Sequence, residues 1–128
     1  MTDSRDALTE QLIAASYNKQ TELVIIQEQL RNNANEYFVY AQTLALNYSD
    51  TNRVIHVCEA YEQSIKSYAS FDNLFAYGEF LHRNDHPDEA ALIYQCLLSF
   101  DQINPSNRKA AVLRLLMAIQ TLRRSTES

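Results

Sequence analysis

The residues in this chain that come closest to a chemical constellation are His82, Asp85 and His86 in the stretch HRNDHP. Two histidines four apart can share a helix face and hold a metal ion, as in zinc sites built on one helix. Here Asn84 and Pro87 bracket the second histidine, so the helix is ending and a solvated turn is the better reading. His56 and Cys58 suggest a thiol and its base, but residues two apart on a helix do not face each other. The carboxylate pairs Glu59/Glu62 and Asp88/Glu89 complement helix dipoles and keep exposed faces soluble. No glycine-rich phosphate loop, nucleophile elbow or CxxC pair occurs. The expectation is a protein without enzymatic activity, metal or cofactor, the alternative being a helical enzyme whose site no motif reveals.

Composition narrows the partner classes. The 128 residues carry a formal charge of −5, whereas nucleic-acid binding needs a basic footprint. Eight tyrosines and five phenylalanines could stack on single-stranded bases, but most recur at helical core spacing, and Tyr40, Tyr61, Tyr77 and Tyr94 read as core. No apolar run reaches the roughly 20 residues of a membrane span, and MTDSRDALTE is no secretory signal. Cys58 and Cys96 read as two core thiols of a reduced, cytoplasmic protein; spacing alone leaves a disulfide between them open.

The elements that position these residues are helical. A single glycine and two prolines leave little turn chemistry for a many-stranded sheet, and the 3.6-residue apolar period marks six or seven helical segments. Leu8, Leu12, Ala15, Leu23, Ile26 and Leu30 form the first stripe, on one long helix or on a hairpin broken around Tyr17–Gln20. Helices over about 35–48 and 53–69, one that carries Gly78 and ends at Asn84, and helices over about 87–100 and 106–124 follow. Ser70 or Asp72 is predicted to cap the third of these, Pro87 to open the fourth, Ser106 or Asn107 to cap the last, and the tail RSTES to fray.

An internal repeat organises this series. A shift of 37 lays EYFVYAQTL (36–44) over NLFAYGEFL (73–81), matching Tyr40 with Tyr77 and Ala41 with Gly78. A shift of 33 then matches Val57 with Ala90 and Tyr61 with Tyr94. A helical glycine costs about 1 kcal/mol against alanine. Gly78 recovers it if two helices cross closely there, with Ala41 in the equivalent place.

Residues 71–105, with Leu74, Tyr77, Gly78 and Leu81, then Ala90, Tyr94, Leu97 and Pro105, resemble the tetratricopeptide repeat family; DEAALIY is similar to its second-helix opening. Residues 35–70 look like a weaker unit. Pro105 comes about three residues late, as in longer repeats of the kinesin-light-chain type, and residues 1–33 match poorly. The resemblance implies an all-α, right-handed superhelix of antiparallel helical hairpins in one domain over 1–128. Its parts are an N-terminal element (1–33), two repeats (35–70 and 71–105) and a capping helix (106–124). It further implies an adaptor or scaffold module that binds a peptide or helix of a partner protein in a concave groove. The groove positions are Phe38, Gln42, Phe75, Glu79, Arg83, Leu113, Arg114 and Met117, with Phe38 and Phe75 as an exposed aromatic ladder. Phe38, Gln42, Ala76 and Glu79 do not supply the family's carboxylate clamp. The alternative is a self-assembling or autoinhibited regulatory module, a possible homo-oligomer, whose residues 1–31 pair with a second copy or fill the groove.

Overall fold

The computed structural model describes residues 4–47 and 52–127, and among them the chain is all-α. It has five helices in this part: α1 (Ser4–Asn47), α2 (Arg53–Ser67), α3 (Phe71–Arg83), α4 (Pro87–Leu98) and α5 (Pro105–Glu127). Most of the turn predicted over 47–52 lies outside the described residues. The expected boundary between residues 33 and 35 is absent, as is a hairpin around Tyr17–Gln20: α1 is one helix of 44 residues, about 66 Å long at 1.5 Å per residue. Arg31–Asn35 holds no glycine or proline, and each asparagine costs a helix less than about 1 kcal/mol. Strong helix formers on both sides carry the helix through.

Only the C-terminal third of α1 is packed. Ala34 and Ala41 are buried, and α2 runs antiparallel along them: Arg53 donates to the Ala45 carbonyl at 3.3 Å, and Ser64 to the Ala34 carbonyl at 2.6 Å. Tyr68, just past α2, meets Arg31, whose guanidinium stands over the ring and donates to its hydroxyl at 3.1 Å. Every residue from 7 to 33 is exposed. α1 is thus a packed segment continued by a projecting arm.

The turn from α2 to α3 is held by buried polar groups. Asn73 donates through Nδ2 to Ser64 Oγ at 3.1 Å and to the Tyr68 carbonyl at 2.8 Å. Its Oδ1 accepts from the Ser70 N–H while its own N–H donates to Ser70 Oγ, a reciprocal capping box. Ser70 is thus the cap of α3. Pro87 opens α4 as expected. α5 starts one residue earlier than predicted and is capped by Asn104, whose Oδ1 accepts from the Asn107 N–H at 2.8 Å; an asparagine placed before the helix can reach back to this free donor, whereas Ser106 and Asn107 already lie within it. α5 runs on to Glu127, three residues past the predicted end at 124, with no breaker residue to stop it.

Gly78 sits where α3 and α4 cross. A Cβ there would lie 2.6 Å from the Tyr94 ring, and Tyr94 is fully buried, so the ring has nowhere to go. Tyr61, Tyr77 and Phe80 join Tyr94 and Ala41 in one core, with Tyr61 stacked on Tyr77 at a centroid distance of 5.5 Å. Leu74, Leu97 and Ala111 form a smaller core beneath α5. The repeat breaks down at one matched pair. Tyr77 is 5% exposed, whereas Tyr40, also predicted as core, is 57% exposed. Tyr77 is covered by α2, which precedes its helix. Tyr40 lies in the first packed helix, and α1 runs straight on instead of folding back over it.

Candidate functional site

On a helix each residue turns about 100° from the last. With Ala41 and Gly78 facing inward, Gln42 and Glu79 are turned to the same side of their helices. They meet across a groove of about 350 Å³ lined also by Ala45, Leu46, Ala76 and Arg83, over the buried rings of Tyr61 and Phe80. Leu46 is 84% exposed at its rim. No residue of the arm lines this groove.

The groove's charge is organised around Glu79. Arg83, one turn on, donates Nη2 to Glu79 Oε2 at 3.0 Å, the favourable order for such a pair on a helix. Arg114 of α5 comes within 3.3 Å of Oε1 and stands 5.7 Å from the Phe75 ring centre. One carboxylate shared by two guanidinium groups leaves a net positive charge at the mouth, where an acidic group can approach. Arg114 also ties α5 to α3, as does the 2.9 Å hydrogen bond between His82 Nε2 and Thr121 Oγ1. Burial pushes the Tyr61 phenol below the groove upward in pKa.

The structure therefore brings Gln42, Glu79 and Arg83 together, with Arg114 joined through Glu79. It does not place the other predicted positions in this groove. Phe38 and Phe75 are half-buried and packed on the core rather than forming an exposed ladder. Phe38 tilts against Tyr61 at 6.2 Å, and Phe75 stacks on Phe71 at 5.0 Å and meets Tyr94 edge-on at 6.0 Å. The reason is that the core here is wider than a single stripe and includes the residue next to it. Leu113 and Met117 are exposed on α5 with Val112 and Leu116, away from the groove lining. Phe80, part of the groove floor, was missed; its place one residue after Glu79 and three before Arg83 was the available signal.

The chemical candidates resolve simply. Among the described residues no three His, Cys, Asp or Glu side chains gather in a way that could hold a metal ion. His82 bonds to Thr121, and His86 precedes α4 beside Asp85, whose backbone takes the left-handed conformation at φ 68°. Both thiols are free. Cys58 is half-buried and burial raises its pKa, but Cys96 is exposed, against the expectation of a core thiol: position 96 faces outward between the inward-facing Tyr94 and Leu97. No helix among the described residues is long and apolar enough to cross a membrane. Comparison of the chain with protein-family models, with curated proteins and with solved structures finds no match.

Proposed function

We propose that the chain is a cytoplasmic, non-enzymatic interaction module, a short array of tetratricopeptide-like hairpins that binds a segment of a partner protein in the groove between α1 and α3. The observation that carries this reading is the combination of an open groove over an aromatic floor with the doubly paired Glu79. Leu46, Ala45 and Ala76 suit an apolar side chain of the bound segment. The positive charge left by Arg83 and Arg114 around Glu79 suits an acidic one nearby. Aromatic and arginine side chains carry most hot-spot energy at such interfaces.

Selection from a random peptide library on the purified protein tests this. Peptides pairing an apolar residue with Asp or Glu should be enriched. Leu46→Glu should weaken their binding at least tenfold without lowering the melting temperature, since Leu46 is exposed, and Arg83→Gln should weaken it at least tenfold while costing no more than about 0.5 kcal/mol for the lost Glu79 pair. Absence of enrichment, or binding indifferent to both changes, would remove the groove as the site.

A further inference from the structure

The arm of α1 carries an apolar stripe that nothing among the described residues covers. Leu8, Leu12, Leu23 and Ile26 are each half or more exposed, and Leu30 is 39% exposed. With Ala15 these residues stand at intervals of four, three, eight, three and four. The intervals are the same read from either end, and their midpoint is Lys19. Such a stripe is complementary to its own reverse. We infer that the arm pairs antiparallel with the arm of a second copy about a two-fold axis at Lys19.

In that register Leu8 comes level with the partner's Leu30, Leu12 with the partner's Ile26, and Ala15 with the partner's Leu23, each contact occurring twice as two-fold symmetry requires. Small meets large at the Ala15 layer. A parallel pair would set alanine against alanine and leucine against leucine, leaving that layer unevenly filled. Lys19 occupies the one polar position of the stripe. Each Lys19 is three residues, about 4.5 Å along the axis, from the level of the partner's Glu22. A reciprocal pair of ion pairs at the axis follows. Sliding either helix by two turns would set Lys19 against Leu12 or Ile26, so the lysine fixes the register as single polar seam residues do in coiled coils.

The packed part of each molecule leaves the seam itself clear. Its lowest contact on α1 is Tyr68 with Arg31, which is level with the partner's residue 7. The seam therefore ends below the body, and only the partner's first turn, 4–6, comes level with residues 32–34 beside the end of α2. The two bodies then stand at opposite ends of the paired arms, and the seam from 8 to 30 is bare in both. This surface is separate from the groove, so the two proposals fail independently.

Light scattering coupled to size exclusion should give twice the mass of one chain at micromolar concentration. Leu12→Glu with Ile26→Glu should give a single-chain mass with the melting of the body unchanged. Direction is read from cysteine variants made on a Cys58→Ala, Cys96→Ser background. Leu12→Cys mixed with Ile26→Cys should form an intermolecular disulfide under mild oxidation, and neither variant should cross-link alone. A single-chain mass for the unmodified protein would overturn the inference. So would a dimer indifferent to the two glutamates, or Leu12→Cys cross-linking to itself, which would mean a parallel pair.

Discussion

One helix, α1, passes through two environments. From Ala34 to Ala45 it turns small residues toward α2 and is covered on that face. From residue 7 to 33 it keeps a regular apolar spacing and is covered by nothing among the described residues. Both stretches are continuous helix, so local propensity does not separate them. What separates them is whether another helix of the same chain returns along that face. Apolar periodicity records that a face is to be buried; it does not record by what.

The sharpest break in this comparison is between tyrosines that the repeat treats as equals. Tyr77→Ala removes a buried ring stacked on Tyr61 and should cost about 3 kcal/mol or more. Tyr40→Ala, on the uncovered side of α1, should stay within about 0.5 kcal/mol of the parent. Urea titration of both variants measures the difference, and equal losses would mean that α1 is covered after all.

A smaller effect is expected at the crossing of α3 and α4. Gly78→Ala improves helix propensity by about 1 kcal/mol, yet places Cβ 2.6 Å from the ring of a buried tyrosine. Overpacking costs about 1–3 kcal/mol, so the net change should be a loss. A gain of stability would show that the ring can yield and that the glycine is incidental.

Tyr94→Phe should be close to neutral or stabilising by up to about 1 kcal/mol, because the buried hydroxyl has no hydrogen-bond partner among the described residues. Burial pushes the Tyr94 phenol up to about 12, from an ordinary 10.0. The unfolded chain therefore gives up this proton first, and the folded state loses stability as pH rises from about 10 to 12. The phenylalanine variant should lose less over that interval in thermal melts. An equal loss would mean that other groups dominate the alkaline transition; burial also raises the pKa of Tyr77.

The smallest expected difference is one of rate rather than stability. Cys96, exposed on α4, should react with a thiol reagent faster than Cys58, which is half-buried and whose raised pKa keeps less thiolate at a given pH. Mass spectrometry of partly labelled protein gives the order. Faster labelling of Cys58 would contradict the packing of α2 against Tyr77.

The helical class, the capping of α3 by Ser70, the proline opening α4 and the close crossing at Gly78 were all legible in the sequence, because each rests on short-range chemistry. The matched pairs Ala41/Gly78 and Tyr61/Tyr94 were legible too, since each places a small residue or a ring at a buried position. The exposure of Tyr40 and Cys96 was not legible. Burial at those positions depends on a neighbouring helix, and residue types repeat even where the neighbour does not. The groove was half legible. Gln42, Glu79 and Arg83 follow from turning one or two residues around from the small crossing positions, but Phe38 and Phe75 pack on a core wider than one helical stripe predicts. The unbroken course of α1 was left open by a sequence with no punctuation in either direction.

Amide hydrogen exchange followed at two protein concentrations tests most directly whether the arm and the body depend on different partners. The body is held by its own core, so protection from residue 34 to the end of α5 should be the same in dilute and concentrated protein. Protection of residues 8–30 should rise with concentration, since most helical stability in proteins comes from packing of an apolar face rather than from propensity, and this face is packed only when paired. Arm protection that is high and independent of concentration down to the most dilute sample would contradict the account, as would an arm that exchanges freely at every concentration.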